Sequence, residues 1–294
     1  MHELLHYASG ARAPIVMANV NRTVASPWAF WPDQTDSLSQ RDTGWIQYYV
    51  ESAQEALDTV IQAYRVAEQV LVPAMVNLDA FYVSHAMEPV LIPSQELVDG
   101  YLPAFDPPHK LDTDHVESWG NVVSQEMFFR HRQDLGEAMA RVPSLAAQAD
   151  HEWAQRTSRS YGVIERYRCD GARTVIVTMG SMCGTARDAV DLLREAGQAV
   201  GLVKVRLFRP LPMAACRGAG GRGRRHCAGP QLFPGHGGVL HQELRAALYG
   251  GAVTPRIHGL LAGVGGVNVS PLKIVEFVNQ TRHAEPLAES QWVR

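Results

Sequence analysis

Cysteine is scarce in this chain and nowhere spaced for a cluster. The 294 residues hold four, Cys169, Cys183, Cys216 and Cys227, with no C-x-x-C among them. That excludes an iron–sulfur or zinc cluster held by this chain alone and fits free thiols in a reducing compartment. No apolar run approaches the roughly 20 residues a membrane-spanning helix needs, and there is no n-region and h-region of a signal peptide. A surplus of one charge is lacking too. The formal net charge is -3, so the balance recommends neither nucleic acid nor a membrane surface as a partner. A G-x-x-x-x-G-K-[ST] phosphate loop is absent.

Hydrophobic residues make up 46%, enough for real cores, and the length suits two domains. Residues 1–9 read as the end of a helix closed by Gly10, with Met1, Leu4, Leu5 and Ala8 on one face and no N-cap. The chain therefore reads as beginning inside an element, and the expectation is that sequence is missing upstream. The apolar run Pro14 to Val20 predicts a buried parallel strand. A long loop, 21–43, follows, and its Trp28, Phe30 and Trp31 argue against disorder. Trp45 to Glu68 reads as a helix, with Ile46, Tyr49, Val50, Ala53 and Leu57 on one face. Leu71 to Leu78 is a second buried strand. Strand, helix and strand then make a βαβ unit, which brings Asn21-Arg22 and the cluster Asp79 to His85 to one edge of a sheet.

Residues 93–118 read as an extended connection. Residues 121–159 read as helical, with a break at Pro143 and Ser144 as a new N-cap. A second α/β unit starts near Arg173. It runs through a strand to Met179, a tight turn Gly180 to Thr185, a helix Ala186 to Ala196 closed by Gly197, and a strand Ala199 to Val205. A helix Val239 to Tyr249 and a strand Arg256 to Leu261 follow, and Ser270-Pro271 opens a last helix. Residues 213–233 fit poorly. No Asp or Glu occurs between Glu195 and Glu243, and Arg217, Arg222, Arg224 and Arg225 sit among Gly and Ala. Two readings stand, a basic loop for phosphate or nucleic acid and a corrupted segment from a shifted frame. The lack of interleaved aromatics favours the second.

The stretch Pro14 to Gln47 carries the most chemistry. An arginine just past the carboxyl end of a strand sits where open α/β sheets bind ligands, and its planar fork of donors matches a carboxylate. Arg22, beside Asn21, is thus the candidate for recognising a small anion.

The runs VNRTVASPWAFWPDQTDSLSQRDTGWIQ, SAQEALD and NLDAFYVSHAMEP resemble the alpha subunit of 2-oxoacid:ferredoxin oxidoreductases, pyruvate:ferredoxin oxidoreductase being the nearest type. VIVTMGSMCGTARDAVDLLREAGQAVGLVKVRLFRPLP, PGHGGVLHQELRAALYG and HGLLAGVGGVNVSP resemble its second domain. The resemblance implies an α/β fold: part of a thiamine-diphosphate-binding, pyrimidine-type α/β domain with a helical connection in residues 1–165, then a transketolase C-terminal-like α/β domain in 166–294. It implies oxidative decarboxylation of pyruvate or another 2-oxoacid to acyl-CoA and CO2, with electrons passing to ferredoxin. Thiamine diphosphate with Mg2+ would be shared with the beta subunit. Iron–sulfur clusters would lie on partner subunits, coenzyme A would be co-substrate, and beta, gamma and delta subunits would be partners in the cytoplasm.

The same resemblance implies that Arg22 binds the substrate carboxylate. For Asp33 and Asp36 it leaves open pairing with Arg41 or plain helix capping, and capping is the simpler role. Asp79 to His85 matches the family's D-G-F-x-x-S-H with Ala80 in place of Gly, a change that narrows backbone freedom. His85 reads equally as a substrate or cofactor contact and as a structural hydrogen-bonder. Trp28, Phe30 and Trp31 are candidates for the pocket wall, with core packing the safer role for at least one. The family's glutamate for the aminopyrimidine, and a threonine near the substrate, have no counterpart in this sequence. A truncated chain of this kind is expected to be inactive alone. A transketolase-like enzyme and a non-catalytic assembly subunit are the alternatives.

Overall fold

The computed structural model describes residues 2–218, 224–229, 232–233, 237–251 and 255–293. The chain opens with helix α1 (His2–Gly10), strand β1 (Val16–Asn21) and a one-turn helix α2 (Thr35–Leu38). Strand β2 (Ile46–Val50), helix α3 (Ala53–Val70) and strand β3 (Ala74–Asp79) then form the βαβ unit. β3 lies between β1 and β2 and runs parallel to both, with Asn21 opposite Asp79.

This corrects the reading of Trp45 to Glu68 as one helix. Ile46, Tyr49, Val50 and Ala53 mimic helical spacing, but all five residues of β2 are buried, and a strand covered on both faces shows no alternation. The true helix start is written as Ser52-x-x-Glu55. Ser52 Oγ accepts from the Glu55 N–H at 3.2 Å, and Glu55 Oε2 accepts from the Glu51 N–H at 3.0 Å, a variant of the capping box. β1 corrects a second expectation. It forms an edge of the sheet, and only Asn21 in it is fully buried.

Helices α4 (Gln95–Tyr101) and α5 (Gln125–Thr157) follow, so the connection over 93–118 contains a short helix. α5 continues through Pro143 instead of breaking there, and Ser144 Oγ bonds back to the Arg141 carbonyl rather than capping. Packing supplies the reason. Leu135, Ala138, Val142, Ala146 and Ala149 share one core with Ala63, Val66 and Ala67 of α3, and that burial outweighs the loss of one helical donor.

The second sheet begins with β4 (Ile164–Tyr167), unforeseen from sequence, and β5 (Thr174–Thr178). Helix α6 (Met182–Glu195) starts four residues before the expected Ala186, and β6 (Val200–Val205) follows. Strand β7 (Leu207–Arg209) turns back to pair antiparallel with β2 and completes the first sheet. Next come α7 (Met213–Gly218), β8 (Arg224–Gly229), β9 (Leu232–Phe233) and β10 (Gly237–Gly238). Then follow α8 (Val239–Leu248), β11 (Ile257–Leu261), α9 (Pro271–Thr281) and β12 (Gln291–Trp292). The order is β12-β11-β8-β5-β6-β4, parallel except for β4. Ser270 caps α9 as expected, accepting from the Lys273 N–H. Within 213–233 the backbone gives a helix and strands, while 219–223 and 230–231, on which part of the reading of a basic loop or a corrupted segment falls, lie outside the described residues.

Tyr49 and Phe208 of the first sheet pack with Val177 and Val203 of the second in one core. A buried charge network joins the same two layers. Lys204 Nζ meets Glu55 at 2.7 Å, Arg206 Nε meets Glu55 at 3.3 Å, and Arg187 bridges Glu51 and Glu165 at 2.8 and 2.9 Å. Burial alone would lower the Lys204 ammonium, but Glu55 and Glu51 outweigh it and the net shift is upward.

Candidate functional site

The carboxyl ends of β1, β3, β5 and β11 converge, and the chemistry gathers there. Asp79 closes β3 and is buried. Its Oδ1 accepts from Asn21 Nδ2 at 3.2 Å and Gln34 Nε2 at 3.1 Å, while its Oδ2 accepts from the Ser181 N–H at 2.9 Å and Ser181 Oγ at 2.7 Å. One carboxylate thus ties the end of β1, the loop before α2 and the amino end of α6 together. Gly180 permits the approach. Its φ is +69°, and a Cβ there would lie 2.7 Å from Asp79 Oδ2, so the tight turn read from the sequence is also a contact that no side chain fits. Asn21 is locked in turn, its Oδ1 accepting from Ser37 Oγ at 2.7 Å and Asn19 Nδ2 at 3.0 Å.

Arg22 follows directly. Its guanidinium carbon lies 4.9 Å from the centre of the Phe81 ring, and none of the ion pairs among the described residues involves it. His85 stacks on Phe81 at 4.5 Å and shares a 2.8 Å hydrogen bond with Ser84 Oγ. Phe81 itself adopts φ +64°, a left-handed conformation that costs an aromatic residue about 1–2 kcal/mol. The unusual backbone falls on Phe81 and not on Ala80, which is fully buried.

The acidic loop divides in two. Asp33 Oδ1 accepts from the Thr35 N–H at 3.0 Å, the capping role. Asp36 accepts from the Ser37 N–H at 2.7 Å through Oδ1 and from the Arg22 N–H at 2.9 Å through Oδ2. Neither pairs with Arg41, which sits 3.8 Å from both Asp42 and Glu243 and donates to the Leu38 carbonyl. Burial pushes Asp33 up and raises Asp36 to about 6. Trp28, Phe30 and Trp31 are exposed at 55%, 61% and 45%, which corrects the expectation of core packing. Trp31 stands 4.8 Å from Phe81 and 5.8 Å from Tyr82. It also packs on Gly266, where φ is +79° and a Cβ would lie 2.1 Å from the Trp31 Cβ.

Next to this cluster a cavity of about 280 Å³ opens between the two sheets. Gln34, Glu51, Asp79, Tyr82, Ser181 and Asn268 are among its lining residues. The Tyr82 hydroxyl donates to the Gly266 carbonyl at 3.1 Å and so closes one side. Gln34, Ser181 and Glu51 were not among the residues expected here, because their meeting depends on how the two sheets pack. Among the described residues no three His, Cys, Asp or Glu side chains gather as a metal site. Cys169, Cys183 and Cys216 are free and buried, and no described helix is long and apolar enough to cross a membrane.

Two α/β units with a polar cleft at their shared carboxyl edge define an α/β ligand-binding protein. Comparison with known proteins narrows the class. Residues 1–151 match the family described as pyruvate flavodoxin/ferredoxin oxidoreductase, thiamine-diphosphate-binding, and residues 172–274 match pyruvate:ferredoxin oxidoreductase core domain II. The chain is 42% identical over 288 residues to pyruvate synthase subunit PorA of Methanothermobacter thermautotrophicus, covering 97% of this chain and 74% of that protein. It is 40% identical to ketoisovalerate oxidoreductase subunit VorA of Pyrococcus abyssi, covering 94% and 71%. The solved 2-oxoglutarate:ferredoxin oxidoreductase from Magnetococcus marinus shares the fold, with a TM-score of 0.63 at 18% identity, and the chain spans 50% of that protein. The chain belongs to the pyruvate flavodoxin/ferredoxin oxidoreductase family.

Proposed function

We propose that this chain is the alpha-type subunit of a thiamine-diphosphate-dependent 2-oxoacid:ferredoxin oxidoreductase. The assembled enzyme would convert a 2-oxoacid and coenzyme A into acyl-CoA and CO2 and reduce ferredoxin in the cytoplasm. Arg22 binds the substrate carboxylate, with Asn21 holding the strand end beneath it. The observation that carries the reading is the placement of Arg22: a guanidinium at a strand's carboxyl end, joined to no acidic side chain by an ion pair among the described residues. A planar fork in that position suits a small carboxylate. Phe81 and His85 form the adjoining apolar and polar surface.

The residues of this chain fit the substrate end of the site and not the cofactor's charged end. Among the described residues no three His, Cys, Asp or Glu side chains gather as a metal site. In this proposal the beta subunit holds the diphosphate and its ion, and other subunits hold the iron–sulfur clusters that lead to ferredoxin. Asp33 and Arg41 serve the loop, and Asp79 serves the scaffold.

The test is turnover by the complex assembled with its partner subunits. We expect 2-oxoacid-dependent reduction of a low-potential acceptor that requires both thiamine diphosphate and coenzyme A. Absence of turnover with pyruvate, 2-oxoglutarate and branched 2-oxoacids alike would overturn the proposal.

A further inference from the structure

Arg22 is the first residue beyond the β1–β3 ladder, whose last register pair is Asn21 and Asp79. Its backbone N–H needs a partner from elsewhere, and the partner is Asp36 Oδ2 at 2.9 Å. The other oxygen of Asp36 accepts from the Ser37 N–H at 2.7 Å. Both oxygens of one half-buried carboxylate therefore face N–H donors. We propose that Asp36 is a positioning residue: ionised, it fixes the Arg22 backbone so that the guanidinium meets the substrate carboxylate, and a proton taken up on it loosens that hold. The proposal rests on the substrate role of Arg22 given above.

The chemistry of the step is one proton on one oxygen. The protonated carboxyl carries a donor on an oxygen that had been an acceptor, so one of the two N–H groups loses its partner. The surroundings set where this happens. Burial is the largest influence and favours the neutral form, the nearby Asp33 charge acts the same way, and the N–H groups of Arg22 and Ser37 with the Asn19 side chain oppose both. The Tyr49 hydroxyl of β2 feels the charge of Asp36 and, beside it, those of Asp79 and Arg209. The balance lies near 6, within reach of ordinary conditions.

The experiment is the pH dependence of KM and kcat for pyruvate, or for whichever 2-oxoacid the complex turns over, between pH 5 and 8. Wild type, Asp36→Asn and Arg22→Ala are compared in the assembled complex. A wild-type KM that rises roughly tenfold from pH 7 to 5, with kcat changing less, matches a group titrating near 6. Asp36→Asn cannot titrate, so its KM is expected to be raised and flat over that range. A flat wild-type KM overturns the proposal whether or not the variant assembles. An Asp36→Asn profile identical to wild type overturns it while leaving Arg22 in place. An Arg22→Ala complex with unchanged KM overturns the Arg22 reading and this proposal with it.

Discussion

The carboxylate of Asp79, at the end of one sheet, accepts hydrogen bonds from both the backbone N–H and the hydroxyl of Ser181, at the start of a helix in the other. The bonds join residues 102 positions apart, and the carboxylate sits at the positive end of α6, where an anion is favoured. The edge that carries Arg22 is thereby pinned to the second α/β unit.

Replacing Asp79 with Ala leaves the Ser181 N–H and Asn21 Nδ2 without their acceptor and removes one from Gln34 Nε2. Unpaired buried donors of this kind cost about 1–3 kcal/mol each where water cannot reach them, so a loss of about 3 kcal/mol or more is expected. Ser181→Ala removes only a hydroxyl donor and should cost about 1 kcal/mol. Urea unfolding of the two variants checks the order, and equal effects would show that Asp79 is not the hub.

Lys204 and Glu55 are both about 1% exposed and 2.7 Å apart. Lys204→Met leaves the buried Glu55 carboxylate with Arg206 as its remaining cation and is expected to cost up to about 3 kcal/mol, short of the full penalty for an unpaired buried charge. Combining it with Glu55→Gln should recover part of that loss, because the underpaired charge is gone, while Arg206 loses a partner. A double-mutant cycle in denaturant measures the coupling, and additive single effects would contradict it.

His241 lies buried on α8 beside Ser290, its Nδ1 3.0 Å from Ser290 Oγ. Burial, helped by the Arg245 charge, pushes it from 6.5 down to about 4. The unfolded chain then binds the proton first as pH falls. Its contribution to stability is full above pH 6.5 and is lost as pH falls towards 4, by up to about 3 kcal/mol. Asp36 acts with the opposite sign. Raised to about 6, it contributes most below its unfolded value and loses that contribution as pH rises through 6. The His241→Gln variant should therefore lose the acid-side slope when its stability curve is subtracted from wild type, and an unchanged slope would contradict the shift.

Much of the fold was legible where one residue type marks a boundary. Ser270-Pro271 at the start of α9 and Gly197 after α6 are such marks. The misreading of β2 has a physical cause, since a strand buried on both faces loses the alternation that identifies it, while the signal that would have corrected it, Ser52-x-x-Glu55, sat in plain view. Arg22 and Asp79 drew notice as candidates because strand ends are where α/β sheets place chemistry. Gln34, Ser181, Lys204 and Arg206 did not. Each draws its meaning from a partner 45 or more positions away, and nothing local distinguishes them.

The central claim is that Arg22 grips the substrate carboxylate. The direct measurement is steady-state kinetics of the assembled complex carrying Arg22→Ala, with assembly verified first. A charge-assisted bond of about 1.5–3 kcal/mol predicts a rise in the 2-oxoacid KM of roughly ten- to a hundredfold, with the KM for coenzyme A unchanged. An unaltered 2-oxoacid KM in a fully assembled complex would contradict the account.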